Sequence, residues 1–272
     1  MLASTACFTT NVLLVRALGS MESVNVWLVS CVRFLAGLGV IALLYRRECA
    51  YARLFRVPKL AARGLVGGAG VYAFYLTIVH LGAGRATFIN NTYVVFGALM
   101  AVAMLGERFG AGLAAGSVAA LGGLALLTNP FGSGPGANVY DLVAVVGALG
   151  SAYVVVTIRQ LHATEHTATI FAAQCVYGLL LCGVPALLAW QAVSPLGWMT
   201  LAGAGVFAGL GQITMTRAFR DLPVAEGSLL QMLVPVGIAA GGAVFFRERF
   251  TPTELAGAAL ILGGTAFSAI RR

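Results

Sequence analysis

The side chains best suited to binding a small molecule are hydroxyls and amides embedded in two long apolar stretches. The first stretch carries Thr87, Asn90 and Asn91, and the second carries Ser228 and Gln231. A spacing of three residues puts Thr87 with Asn90, and Ser228 with Gln231, on one face of a helix. Polar groups inside apolar helices cost free energy and usually face a bundle interior or a cavity. They therefore indicate either a substrate-binding site or hydrogen bonding between helices without a ligand.

Aromatic, amide and hydroxyl groups in other apolar stretches extend this candidate site. Tyr72, Tyr75 and His80 fall within about 140° on a helical wheel of about 100° per residue. Amides and hydroxyls among aromatic rings suit a small zwitterion, or a neutral molecule with an apolar part. The remaining candidate binding residues are Asn11, Tyr153, Gln212 and Thr216.

Arg33 and Pro235 stand out because neither is favourable inside an apolar helix. Arg33 is the one strong charge that the sequence places in the middle of such a helix, and an intramembrane arginine is a functional candidate. It would either attract the carboxylate of a substrate or hold helices together. Pro235 removes a backbone hydrogen bond and predicts a hinge beside a cavity, although structural tolerance explains it equally well.

Two patterns imitate enzyme motifs without their context. His162, Glu165 and His166 match the H-x-x-E-H pattern of inverted zinc peptidases, but they fall in a short loop with no room for a catalytic domain. The glycines of residues 68–73 imitate a dinucleotide fingerprint inside an apolar run rather than between a strand and a helix. We therefore expect no catalytic residue, no metal site and no cofactor, and the protein is not expected to be an enzyme.

The composition places these residues in a membrane protein. Of the 272 residues, 60% are hydrophobic and 10% are charged, whereas a soluble domain carries about 25% charged residues. This excludes a soluble enzyme, a nucleic-acid-binding domain and a disordered chain. The five cysteines are an odd number without metal-ligand spacing, so they predict no disulfide framework.

At about 20 residues per crossing, the chain is predicted to be an all-α polytopic membrane protein with ten transmembrane helices. The first begins without the basic region and cleavage site of a signal peptide. The predicted spans lie near residues 2–18, 24–45, 61–82, 86–105, 111–128, 139–158, 168–190, 196–216, 224–246 and 254–270.

The basic residues predict the orientation. With the N-terminus in the cytoplasm, twelve of the 17 basic residues fall in inside loops, four outside, and Arg33 inside a helix. The positive-inside rule then puts both termini in the cytoplasm. The inside set is Arg46, Arg47, Arg53, Arg56, Lys59, Arg63, Arg108, Arg159, Arg217, Arg220, Arg271 and Arg272.

The chain also repeats itself at an offset of 141 residues. The tripeptide 107–109 (ERF) returns as residues 248–250, and the Gly-Gly pair 122–123 returns as 263–264. The offset also relates Thr87 to Ser228 and Asn90 to Gln231, so the two halves would present matching polar pairs to a common centre. It places Arg33 on Gln174, and Val94 on Pro235, so that only the second half has an obvious kink.

Five helices per half is an odd number, so the second half must be inverted relative to the first. The predicted repeats are residues 1–130 and 131–272, joined by a Gly/Pro-rich linker over residues 128–141. Many secondary transporters build two gates around a central site from such inverted repeats. An inert membrane scaffold is the alternative.

Two five-helix halves, each with an apolar run, a Glu-Arg pair and a Gly-rich helix ending in Gly-Gly, resemble the drug/metabolite transporter superfamily. The resemblance is to its EamA-type ten-helix exporters, and Arg33 and the LVPV run at 233–236 also fit them. It implies a multi-pass protein of the bacterial inner membrane that exports amino acids, aromatic ones included, or similar metabolites by alternating access. The expected partners are a small-molecule substrate and the lipid bilayer, with no nucleic acid and as a monomer or dimer.

Two other functions, and the energy source of transport, can also be judged from the sequence. An organic-phosphate or nucleotide-sugar exchanger of the same superfamily would want several cavity Lys or Arg residues, whereas Arg33 stands alone. A membrane-embedded enzyme or scaffold would want a Cys/His/Asp constellation. All nine acids fall in loops or near helix ends, and His80 falls near an outer helix end, so we expect a facilitator without obligatory proton exchange.

Overall fold

A computed structural model describes residues 1–130 and 138–270 of the chain. The central part of the linker and the terminal Arg271 and Arg272, counted above, lie outside the described residues. The described residues form twelve α-helices and a 3₁₀ turn at Tyr51–Phe55, without any strand. The helices are α1 (Leu2–Met21), α2 (Val26–Leu44), α3 (Pro58–Leu81), α4 (Ala83–Asn91), α5 (Tyr93–Leu105), α6 (Ala111–Thr128), α7 (Val139–Leu161), α8 (Thr167–Leu188), α9 (Pro195–Asp221), α10 (Val224–Gln231), α11 (Leu233–Phe246) and α12 (Pro252–Ile270).

These twelve helices make ten membrane spans, because α4 with α5 and α10 with α11 each form one interrupted span. Nine spans in the described part of the chain are long and apolar enough to cross a membrane. The tenth is α12, a 19-residue helix that packs against α6. The predicted all-α fold of ten transmembrane helices is confirmed.

Local signals set the helix ends. Asn25 and His166 cap α2 and α8, each accepting a hydrogen bond from the backbone N–H two residues further on, at 2.8 Å and 3.3 Å. Gly106 has φ of 66° at the end of α5, the left-handed conformation that glycine tolerates best. Asn129 ends α6 in the same region, with φ of 38°.

The repeat seen in the sequence is present in the helices. The offset of 141 residues carries the first residues of α2, α4 and α6 onto the first residues of α8, α10 and α12. The fold is therefore two copies of the same series of helices.

The seam between α6 and α12 shows that the second copy is inverted. Gly116 lies against Gly264, and Gly123 lies against Gly257. A Cβ on any of these glycines would come within 2.5–2.7 Å of the partner's backbone carbonyl, so close antiparallel packing depends on their missing side chains. The offset relates Gly116 to Gly257 and Gly123 to Gly264. The repeat therefore maps each of these two contacts onto the other, which requires that the two helices run in opposite directions.

The seam between α2 and α8 repeats this reciprocity. Gly37 lies against the thiol of Cys175, and Gly178 lies against the ring of Phe34. The offset relates Gly37 to Gly178 and Phe34 to Cys175, while residue numbers rise along one helix and fall along the other. The inverted repeat therefore also relates the two contacts of this seam to each other.

The chain forms two compact units, each combining helices from both halves. The first unit comprises Met1–Tyr72 and Thr157–Asp221, where α2 packs on α8 and α9, and α1 packs on α9. The second comprises Ala73–Val156 and the chain from Leu222 onward, where α6 packs on α12, and α5 on α10.

Candidate substrate-binding site

The fourth and ninth membrane spans are interrupted within one residue of corresponding places, at Thr92 and at Met232. The helix α4 ends at Asn91 and α5 begins at Tyr93, whereas α10 ends at Gln231 and α11 begins at Leu233. The sequence predicted spans over 86–105 and 224–246, with an obvious kink only at Pro235. Both segments are long and apolar enough to cross a membrane, and each carries a one-residue interruption, at Thr92 and at Met232.

The two breaks have different local causes. In the second half, the buried Pro235 has no N–H, so it cannot donate to the carbonyl of Gln231, where α10 ends. In the first half, the amide of Asn91 donates to the carbonyl of Thr87 at 2.8 Å, and the hydroxyl of Thr92 donates to that of Ile89 at 2.6 Å. Such side-chain hydrogen bonds compete with the backbone hydrogen bonds of the helix. Polar residues therefore interrupt the helix in the first half, as proline does in the second half.

The two predicted polar pairs lie immediately before these breaks, and all four residues belong to the second unit. Thr87 and Asn90 are half-buried, whereas Ser228 and Gln231 are buried, at 0% and 6% exposure. Transporters with inverted repeats commonly bind substrate at discontinuous helices in corresponding positions of the two halves. The chain has this arrangement of backbone and side chains.

The three aromatic candidates on α3 have different surroundings. Tyr72, in the first unit, stacks on Trp27 with ring centroids 3.6 Å apart. His80 is exposed near the end of α3 and stacks on Tyr140 at 3.8 Å, in the second unit. Tyr75 is half-buried, also in the second unit.

The remaining candidates on α1, α7 and α9 are held to different degrees. Asn11 is buried and donates to the carbonyl of Ala204 at 2.8 Å, which ties α1 to α9. Gln212 and Thr216 are buried on α9, and the hydroxyl of Thr216 has no hydrogen-bond partner among the described residues. Tyr153 is half-buried on α7.

Charge inside the first unit differs from the sequence prediction. The half-buried Arg33 has its guanidinium carbon 5.8 Å from the centroid of the Phe8 ring, a cation–π geometry. Arg63, predicted in an inside loop, lies instead within α3 with 0% exposure. Arg63 lies in the second turn of α3 and its side chain donates to Gln174 of α8, so the first unit holds a buried arginine besides the predicted mid-helix Arg33.

The three residues of the zinc-like pattern each have a structural partner. His162 Nε2 lies 2.8 Å from the carbonyl oxygen of Thr216, Glu165 pairs with Arg53 at 2.6 Å, and His166 caps α8. Burial lowers the pKa of His162. The pattern is thus part of the turn between α7 and α8.

The acidic residues lie where the sequence placed them. Each of the nine falls in a connection, or in the first or last turn of a helix. Two of them stabilise helix ends or pairs in the second unit: Glu107 contacts the start of α10, and Asp141 pairs with Arg85 at 2.8 Å.

Two inverted repeats of membrane-spanning helices with interrupted spans are typical of membrane transporters. The sequence profile of the EamA-like transporter family matches residues 1–129 and again 138–270. The chain belongs to this family, which is part of the drug/metabolite transporter superfamily.

Individual relatives are distant but cover nearly the whole chain. The pseudopaline exporter CntI of Pseudomonas aeruginosa is 28% identical over 269 residues, which is 96% of this chain and 92% of that protein. An uncharacterized protein of the same species is 28% identical over 95% of this chain and 89% of its own length. A solved crystal structure aligns with a TM-score of 0.84 over 99% of this chain and 95% of that one, at 18% identity, and shows the shared fold.

Proposed function

We propose that this transporter exports amino acids, aromatic ones included, or similar small metabolites across the bacterial inner membrane by alternating access. Both termini then lie in the cytoplasm, as the distribution of basic residues predicts. The observation that carries the proposal is the pair of interrupted spans, each with a hydroxyl and an amide in the turns before its break.

The chemistry of these groups favours a small zwitterion. Thr87, Asn90, Ser228 and Gln231 offer uncharged donors and acceptors, which suit ammonium and carboxylate groups. The spans around them are strongly apolar, so a substrate with an apolar part gains from desolvation. One relative, the pseudopaline exporter CntI, is named as an exporter, and this supports export as the direction of transport.

An organic-phosphate or nucleotide-sugar exchanger is the second candidate. Phosphate recognition usually employs several Arg or Lys side chains. Arg63, buried in the first unit together with the half-buried Arg33, is the observation in its favour. Two arginines are few for a phosphate site, and we rank this function second.

We also propose that transport needs no obligatory proton exchange. Proton-coupled carriers commonly hold a titratable carboxylate within the membrane, and all nine acids here lie in connections or at helix ends. A substrate would then run down its own gradient.

The test is competition for transport in proteoliposomes that contain the purified protein. The panel comprises amino acids, sugars, organic phosphates and cationic drugs. The proposal expects amino acids with apolar side chains to compete best. Competition only by organic phosphates would establish the second candidate, and competition by none of the compounds would contradict both.

A further inference from the structure

The first unit contains a buried guanidinium that the fold does not fully satisfy. Arg63 has 0% exposure, and its Nη2 donates to Gln174 Oε1 at 2.9 Å. Its Nε and Nη1 atoms have no hydrogen-bond partner among the described residues. Burying a charge is expensive unless the charge is paired and its donors are satisfied. A helix-interior arginine in this state therefore points to an anionic ligand.

The surroundings of Arg63 hold the guanidinium in place without neutralising it. Gln174 is itself oriented, because its Nε2 donates to the carbonyl of Gly67 at 3.3 Å. A Cβ on Gly67 would lie 2.5 Å from Arg63 Nη1, so the side chain passes where only glycine leaves room. The pairing partner of Arg63 is an uncharged amide, which fixes the position of the charge and leaves it intact.

The inverted repeat gives the seam between α3 and α8 a counterpart, and in this counterpart the position of Arg63 is not an arginine. The contacts of Gly64 with Ala173 and Tyr177, between α3 and α8, recur as the contacts of Gly205 with Val32 and Ala36, between α9 and α2.

In that second seam, the offset replaces Arg63 by Ala204 and Gln174 by Arg33. Each of these two seams therefore carries one arginine, Arg63 on α3 in the first and Arg33 on α2 in the second. Cys175, which follows the Arg63 partner Gln174 on α8, lies against Gly37 of α2, one helical turn from Arg33.

We propose that Arg63 binds a carboxylate of the transported molecule, with Arg33 adding to the attraction. This inference rests on the proposed function and deepens it, because it names an acidic group as the feature that the transporter selects. A guanidinium with unused N–H donors on Nε and Nη1 favours an anionic group, because each donor can make a charge-assisted hydrogen bond to a carboxylate oxygen. Since Arg63 is fully enclosed in this conformation, the proposal requires that the carboxylate reaches it in another conformation of the transport cycle.

The test compares each amino acid with its carboxamide, which keeps the side chain and the amino group but loses the negative charge. The pairs are phenylalanine with phenylalaninamide and leucine with leucinamide, or the transported molecule from the panel with its own amide. Initial transport rates and thermal stabilisation of the purified protein are measured for wild type, Arg63→Gln and Arg63→Lys. The matched control is Arg220→Gln, an exposed arginine at the end of α9 that pairs with Asp221.

Wild type is expected to prefer the acid over the amide by about tenfold or more, the usual scale of a charge-assisted hydrogen bond. Arg63→Gln should reduce this preference to less than about twofold while amide transport persists. Arg63→Lys should retain part of the preference, and Arg220→Gln should retain all of it.

Equal transport of acid and amide by wild type would overturn the inference, and this comparison needs no variant to fold. A well-folded Arg63→Gln protein with the wild-type preference would overturn it equally. Transport without acid preference contradicts this inference alone. The absence of transport of every panel compound contradicts the proposed function itself.

Discussion

Glu107 Oε2 accepts a hydrogen bond from the backbone N–H of Val224 at 2.9 Å. Glu107 follows α5 in the first half of the chain, whereas Val224 is the first residue of α10 in the second half. A carboxylate at this position satisfies a donor that the helix cannot satisfy itself and complements the positive end of the helix dipole. The Glu-Arg pair noticed in the sequence thus includes a helix cap that links the two repeats.

Replacing Glu107 with Ala should therefore destabilise the protein. Loss of a helix cap costs about 0.5–2 kcal/mol, which corresponds to a decrease in Tm of about 2–4 °C per kcal/mol for a chain of this size. Thermal unfolding of the purified protein in detergent measures the change. Glu48→Ala, at an exposed carboxylate between α2 and the 3₁₀ turn, is the control and should leave the Tm unchanged. Equal Tm values for both variants would show that the cap contributes nothing.

The polar pairs before the helix breaks are predicted to recognise the substrate. Asn90→Ala and Gln231→Ala should each weaken transport by the loss of a hydrogen bond, about 0.5–1.5 kcal/mol, or up to about 3 kcal/mol for a charged substrate group. Uptake kinetics in proteoliposomes measure the effect, with expression and Tm close to wild type.

The neighbouring Asn91 provides a matched comparison, because its amide is used within α4 on the carbonyl of Thr87. Asn91→Ala should lower the Tm more than either of the other substitutions. Normal transport by both Asn90→Ala and Gln231→Ala would mean that other faces contact the substrate.

The orientation of the chain is predicted to place Cys49 on the cytoplasmic side. Cys49 is half-buried between α2 and the 3₁₀ turn, outside the membrane spans. A membrane-impermeant maleimide should label it in inside-out vesicles and not in intact cells. Burial raises the pKa of this thiol, and the thiolate is the reactive form, so labelling should accelerate as the pH rises from 7 to 9. Labelling of Cys49 in intact cells would contradict this orientation and place Cys49 on the outer side of the membrane.

The turn between α7 and α8 is predicted to be sensitive to acid. Burial lowers the pKa of His162, the Thr216 carbonyl and Asp221 raise it, and Arg220 and His166 lower it further. A histidine with a lowered pKa stays neutral in the folded protein while the unfolded chain takes up a proton. Stability should therefore decline as the pH falls below about 6.5, the ordinary histidine value.

His162→Gln should remove part of this acid sensitivity. The measurement is Tm between pH 5.5 and 7.5 for the variant and wild type. An identical decline in both would show that His162 does not contribute.

The membrane fold could be predicted from the sequence because two strong signals agree. Apolar runs of span length predict the helices, and the 141-residue repeat predicts inversion once each half holds five of them.

Two features could not be predicted, for physical reasons. The break after Asn91 depends on side-chain hydrogen bonds to backbone carbonyls, which leave no signal as clear as Pro235. The burial of Arg63 depends on Gln174, which is 111 residues away in the chain. A basic residue near a predicted helix end is indistinguishable in sequence from a loop arginine until its packing partner is known.

The candidate site was predicted in residue type more than in arrangement. Thr87, Asn90, Ser228 and Gln231 lie beside the two breaks, whereas the sequence predicted their pairing and not the breaks. Asn11, in contrast, donates its amide to α9, a contact that a single sequence cannot reveal.

The most direct test of the central claim is efflux of a radiolabelled amino acid from proteoliposomes that contain the wild-type protein. With no imposed pH gradient, the substrate should leave the vesicles until it has equilibrated, and it should leave faster than from protein-free vesicles. An excess of unlabelled substrate inside the same vesicles should slow the loss of label. Robust accumulation against the substrate gradient, driven by a pH step and abolished by His80→Ala or Glu226→Gln, would contradict the account.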